Sequence, residues 1–241
     1  MTNIVLLNNV DHADLRVAQT YGPETGDAIN QARVFPTEFE ALQRDYVILF
    51  RRDAAGAFQS VALLGLDRDE NLFLQSPQWK ARYVPAVQRR GPFSIGLHSA
   101  QGAAAERQAR VNVDLDDPRV GVADGEAVFM KHGGSSPYLD AINVALSALY
   151  EGVEAEPAMF EAFEQAGLLE PVVIDIHVGE GRRYDLDNVF AIRRDRLDAL
   201  DGAALERLHR GGWLVPAVHA ASSLGNLDRL IAMKNRKAGR A

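Results

Sequence analysis

The apolar positions of this chain run in short continuous stretches through its first half and recur at helical spacing through its second. Tyr46–Arg52 (YVILFRR) and Ala57–Leu66 (AFQSVALLGL) flank the loop Asp53-Ala54-Ala55-Gly56. Two β-branched and aromatic runs around a four-residue loop with glycine predict a β-hairpin. After a turn at Asp67-Arg68-Asp69-Glu70, Asn71–Gln75 (NLFLQ) extends it into a three-stranded meander. Ile4–Leu7 and Phe93–His98 are further strand-like runs, and Val111–Leu115 (VNVDL) alternates as a half-buried strand does. Thr37-Glu38-Phe39-Glu40 has capping-box spacing and opens a short helix ending near Arg44. Ser76-Pro77 reads as an N-cap followed by proline, predicting a short helix to Tyr83 that Pro85 ends. Ala100–Ala109 is small and polar, the composition of a flexible insertion.

Ser136-Pro137 opens an amphipathic helix carrying Leu139, Ile142, Leu146 and Leu149. Glu156-Pro157 is expected to start another, with Phe160 and Phe163 inward and Gly167 as its stop. Val172–Val178 and Tyr184–Arg193 read as a strand pair around a turn at Glu180-Gly181. Asp201 caps a helix over residues 202–210, and one long helix follows from Trp213 through Leu224, Leu227, Leu230 and Ile231. The basic stretch from Met233 to the end is expected to fray. Antiparallel strands first and helices later, without βαβ alternation, place the fold in the α+β class. It is expected to be an antiparallel sheet with helices mainly in the C-terminal half. No repeat or composition break divides residues 1–241, which are expected to form one domain.

Composition narrows the function classes. With 241 residues, 47% hydrophobic and 24% charged, the chain can bury a sizeable core. A net charge of −7 argues against nucleic acid as a partner, because phosphate binding needs a basic field. The absence of cysteine excludes disulfides, thiolate metal sites and a cysteine nucleophile. No apolar run approaches the roughly 18 residues of a transmembrane segment. The start, MTNIVLLNNVDH, lacks the basic region of an export signal, so a cytoplasmic location is expected.

Candidate chemistry concentrates in Asn71–Phe93. On the expected helix Trp79 and Tyr83 share a face, Lys80 and Arg82 flank it, and Arg89-Arg90 stand beside Gly91-Pro92. The candidate ligand-binding set is therefore Trp79, Arg82, Tyr83, Arg89 and Arg90. Together they would form an aromatic slot with cationic walls for a carboxylate, a nucleotide or an aromatic group. The plainer alternative packs the rings on the hairpin, sends the basic heads to water and pairs the arginines with internal carboxylates.

Asp175 and His177 lie two apart on a strand, and with His12, His132 or His219 they offer the types of a two-histidine, one-carboxylate iron site. Nothing in the spacing selects a second histidine. A solvated strand face accounts for the pair, and a hydrogen-bonded core or interface residue for His219, so no metal is assigned. His132-Gly133-Gly134-Ser135-Ser136-Pro137 leads into a helix but lacks the lysine and spacing of a phosphate loop. No serine sits in a G-x-S-x-G elbow, and Asp114, Asp116 and Asp117 lack the glycine and glutamate of a calcium loop. No motif calls for a cofactor.

HADLRV near the start, DYVILFRRD…FQSVALLGL, ENLFLQSPQWKARYVPAVQRRGPF, GEAVFM and LHRGGWLVPAVHAASSLGNLDRLI resemble, in that order, the SapC family of bacterial proteins, named after a surface-layer-associated member. Gly91 departs from it, standing where the family usually has tyrosine. The resemblance brings no catalytic residues or cofactor with it. It implies a setting near outer-membrane receptors, tryptophan halogenases and cupin-like oxygenases, hence peptide or aromatic uptake and modification.

Two functions from different classes follow. One is a non-enzymatic binding or accessory protein for a peptide, protein or aromatic or acidic ligand. The other is a small enzyme of peptide or tryptophan modification, with or without a metal. The family name adds a third, a surface-layer role at the cell surface. The apolar breadth of Trp213–Ile231 also suits a homo-oligomer.

Overall fold

The computed structural model describes residues 3–99, 107–178 and 182–239. From the N-terminus come strands β1 (Ile4–Leu6), β2 (Arg16–Val17) and β3 (Gln31–Arg33), the short helix α1 (Phe39–Leu42), then β4 (Val47–Arg52), β5 (Phe58–Leu63), β6 (Leu74–Gln75) and β7 (Gln78–Trp79). Helix α2 (Ala86–Arg89) precedes β8 (Phe93–Ser99), β9 (Arg107–Asp114) and β10 (Glu126–Ala127). Next come α3 (Pro137–Gln165), β11 (Leu169–Val178), β12 (Arg182–Ile192), α4 (Arg194–Asp198), α5 (Gly202–Arg210), α6 (Leu214–Ser223) and α7 (Leu227–Ala238). Antiparallel sheets and a predominantly helical second half make the fold α+β.

The expected hairpin is β4–β5, with Arg52 opposite Phe58. Asp53 shapes its loop by accepting from the Ala55 and Ala57 amides at 2.9 Å each, and Gly56 supplies the left-handed residue at φ 86°. The hairpin is central in a five-stranded sheet of order β11-β12-β4-β5-β3. Asn71–Gln75 is not its third strand. β3 and β12 take the two flanks, and β6 pairs only with β7. The Ser76-Pro77 helix is absent as well: this pair, joined by a cis peptide, is the turn between β6 and β7. Too few residues separate Pro77 from Pro85 for a helix stable by itself, and tertiary contacts of Trp79 favour the strand pair.

Two hydrophobic cores result. The larger packs Ile48, Leu49, Phe50 and Leu63 against Phe160, Phe163 and helices α6 and α7. The smaller joins the β1-β9-β8 sheet, through Phe93 and Val113, to Leu139, Ile142 and Leu146. Helix α3 serves both, its first turns in the small core and its last in the large one. Ser136 caps it, accepting from the Leu139 amide at 3.1 Å. Glu156-Pro157 does not start a new helix, because α3 runs through it unbroken. Proline removes one amide there, and the carbonyl left over, that of Val153, belongs to an exposed residue that water reaches. Buried Glu156 pins the same turn to the sheet, ion-pairing with Arg33 and accepting from the amide and hydroxyl of Ser60 at 3.2 Å each. Gly152 lets the helix close on Phe35, since a Cβ there would stand 2.3 Å from the Phe35 Cβ.

The expected helix over Thr37–Arg44 begins earlier, as a 3-10 turn at Pro36–Glu38 leading into α1. Glu38, not Glu40, reaches back to the Phe35 amide, while the Thr37 hydroxyl donates to the Ala148 carbonyl of α3 at 2.9 Å. Asp201 caps α5 as expected, accepting from the Ala204 amide at 2.7 Å. The long C-terminal helix is instead α6 and α7, separated by a 3-10 turn at Leu224–Asn226. There Asn226 donates to the Gln43 and Tyr46 carbonyls, and buried Ser223 accepts from the Ile48 amide at 2.9 Å.

The basic tail does not fray at Met233. Helix α7 continues to Ala238, and Lys234 is 3% exposed, bonded to Asp67 and to both carboxylate oxygens of Glu70. Most of the insertion expected at Ala100–Ala109, and the turn at Glu180-Gly181, lie outside the described residues.

Candidate functional site

The β6–β7 turn places the indole of Trp79 inside the large core, 8% exposed and edge-to-face with Tyr21 at a centroid distance of 5.6 Å. Its Nε1–H donates to the Tyr46 hydroxyl at 2.7 Å, and Tyr46 donates to the Tyr83 carbonyl at 2.5 Å. This chain secures the loop that leads to α2. Burial holds the Tyr46 hydroxyl far above its ordinary pKa, so it stays a donor.

Glu38 organises the next layer. Its carboxylate accepts from the Ala86 amide at 2.6 Å, the Tyr83 hydroxyl at 3.0 Å and the Phe35 amide at 3.2 Å. Burial raises its pKa against those bonds and the nearby Arg89 charge. Arg89 lies with its guanidinium carbon 4.8 Å from the Tyr83 ring centroid, and its Nη2 donates to the Tyr83 hydroxyl at 3.2 Å. Among the described residues its Nε–H is buried without a partner, and so is Oε1 of Gln88, a residue 8% exposed.

Both residues line a narrow crevice with an accessible volume of about 10 Å³, walled by Tyr21, Gly91, Arg119 and Tyr138. Arg119 is held by a two-pronged bond to Asp117, Nε at 2.8 Å and Nη2 at 2.6 Å. Burial works against its charge, but the Asp117 bonds prevail and hold its pKa above the ordinary value. Gly91, at φ 57°, adds no side chain; a Cβ there would lie 3.8 Å from Arg119 Nη1 and 3.9 Å from the Tyr138 hydroxyl. Burial raises the pKa values of Tyr21 and Tyr138, Asp27 raises Tyr21 further, and Arg119 opposes both. The crevice therefore presents neutral hydroxyls beside fixed positive charge.

Across Tyr138 opens a groove of about 760 Å³ between the N-terminal loop, β10 and the start of α3. Tyr138 lines both spaces. Asp14, Arg16, Glu126 and Lys131 bring both signs of charge to the groove, and Phe129 and the 54% exposed Met130 bring apolar surface. Gly133 and Ser136, from the glycine-rich stretch seen in the sequence, border it.

The candidate residues from the sequence are thus dispersed. Arg89 reaches the crevice; Trp79 and Tyr83 pack behind it; Arg82 is exposed, its amide donating to Asp45 at 3.0 Å. Arg90 donates to the Phe93 carbonyl at 2.6 Å, and burial followed by the like charge of Arg119 lowers its pKa. Asp175 and His177 sit on β11 opposite Asp185 and Arg183, past a register shift after Val172 that interrupts the simple alternation. Their side chains are outside the described residues. His219 is half-buried on α6. Among the described residues no three histidine, aspartate or glutamate side chains group as metal ligands. Sequence reasoning missed Tyr21, Gln88, Arg119 and Tyr138, which come from four separated stretches. Arg89, from the candidate set, and Gly91, the departure from the family pattern, marked the place.

These features define an α+β protein with a polar crevice where two cores meet and an open groove beside the smaller one. The SapC family model matches residues 7–230, so the chain belongs to the SapC family. No curated protein and no solved structure matches it.

Proposed function

We propose that this chain is a non-enzymatic binding or accessory protein that seats a peptide or a segment of a protein partner in the groove beside Tyr138. The groove carries the reading. Its volume of about 760 Å³ lies within the roughly 300–1,000 Å³ of small-ligand sites, and its open shape suits an extended chain. Carboxylates, cations and apolar side chains together complement a polypeptide better than a uniformly charged partner. Exposed Met130 is an adaptable apolar contact of the kind that recurs at permissive binding surfaces. The family setting suggested by the sequence, uptake or modification of peptides, is consistent with such a role.

A random peptide display library panned on the purified protein tests this. Peptides should be enriched whose binding falls at least tenfold in Met130→Asp and persists in Val215→Asp, an exposed change on α6. No enrichment over a blank surface, or enrichment indifferent to Met130→Asp, refutes the proposal.

A further inference from the structure

We infer that the crevice between Gln88, Arg89, Arg119 and Tyr138 is a carboxylate-binding subsite. The inference rests on reading the adjoining groove as the seat of a polypeptide. Asp117, Asp27 and Glu38, the carboxylates that interact with the charges of Arg119 and Arg89, already have partners. Asp117 takes two bonds from Arg119; Glu38 takes the Phe35 and Ala86 amides and the Tyr83 hydroxyl. Asp27 accepts from the Gly22 amide at 3.1 Å and the Thr25 hydroxyl at 2.5 Å.

What remains unused is mainly donors. The Arg89 Nε–H is buried and has no partner among the described residues, a costly state for a donor on a charged group. Arg119 Nη1 and the Tyr138 hydroxyl flank the open side of Gly91. Gln88 makes no side-chain hydrogen bond among the described residues, so nothing fixes the orientation of its amide. A half-turn would bring its NH₂ to the place of the unpartnered Oε1 and add another donor.

Size selects among anions. An accessible volume of about 10 Å³ is close to the room for a single water-sized group. One oxygen of a planar carboxylate enters it while the other stays at the mouth, towards the groove across Tyr138. A phosphate entering by one oxygen leaves three at the mouth where a carboxylate leaves one, so the planar group is the better match. The carboxylate comes from either the C-terminus of a bound peptide or an acidic side chain within it.

The Arg89 Nε–H resonance, followed by NMR while N-acetylglycine is added, tests the site without using the groove. A saturable shift is expected with N-acetylglycine, none with N-acetylglycinamide, and no competition from inorganic phosphate. Gln88→Glu, which sets a negative charge in the wall, should weaken binding at least tenfold at neutral pH, and Gln88→Asn should retain most of it. A missing saturable shift, or equal shifts from acid and amide, overturns the inference and leaves the groove reading standing. An alanine–leucine hexapeptide, free or amidated at its C-terminus, and the amidated peptide with one internal glutamate then separate the two sources. Equal affinity for all three also overturns the inference, because it shows that no carboxylate is read.

Discussion

Lys234→Met tests whether the C-terminal helix is an anchored part of the core. In the native chain Lys234 Nζ bonds both oxygens of Glu70 at 2.8 Å and also pairs with Asp67, while Lys237 adds a bond to Glu70 at 2.9 Å. Burial works to lower the Lys234 pKa, but its carboxylate bonds raise it; burial likewise works to raise Glu70, and the two lysines hold it below its ordinary value. Methionine keeps the apolar stem and deletes the charge, leaving a carboxylate that is 4% exposed. Removing one partner of a buried pair costs about 3–5 kcal/mol. Lys237 and the Leu66 amide still serve Glu70, which places this case near the lower figure, about 3 kcal/mol. For a chain of this length that is a fall in Tm of roughly 6–12 °C. Thermal unfolding followed by circular dichroism measures it, with urea titration for the free energy. The double variant Glu70→Gln/Lys234→Met should lose less than the two single changes summed, because Glu70→Gln removes the charge that Lys234→Met strands. A Tm within about 2 °C of the parent, or strict additivity, refutes the reasoning.

Three further outcomes follow from packing and charge. Ser223→Ala strands the Ile48 amide in the large core and should cost about 1–3 kcal/mol by urea denaturation. Gly152→Ala gains up to about 1 kcal/mol of helix propensity but forces a contact with Phe35, so a net loss of about 1–2 kcal/mol is expected in the same assay. Burial works to raise Asp45, but the Arg229 pair and the Arg82 amide prevail and lower its pKa. Its contribution is thus present above the ordinary carboxylate range and lost as pH falls through the lowered folded value. Urea midpoints of the parent and Asp45→Asn should differ most at neutral pH and converge below about pH 4, and a constant gap across that range contradicts the assignment.

Much of the fold is local and was legible in the chain. The β4–β5 hairpin follows from two apolar runs and the Asp53–Gly56 loop, whose aspartate and glycine shape the turn by contacts within five residues. The same holds for the caps at Ser136 and Asp201, each bonded three residues ahead. Segments whose neighbours are distant read differently from their sequence. Ser76-Pro77 has the types of a helix start, yet the contacts that decide Trp79 are with Tyr21 and Tyr46. Pro157 looks like a beginning, but Glu156 and Gly152 hold α3 continuous by gripping Ser60 and Phe35. The basic tail has the composition of a solvated end, and its carboxylate partner lies 164 residues earlier in the chain.

The sequence by itself determined the α+β class, the central hairpin, the main helix starts and the family, because these depend on periodicity, turn chemistry and residue order along the chain. Tertiary structure decided which polar groups share a wall. It sealed Trp79 behind Tyr46, moved Arg82 to the surface, and brought Tyr21, Arg89, Arg119 and Tyr138 around one crevice. Such a grouping depends on how two cores meet across α3, and spacing along a chain carries no record of contacts between residues so far apart.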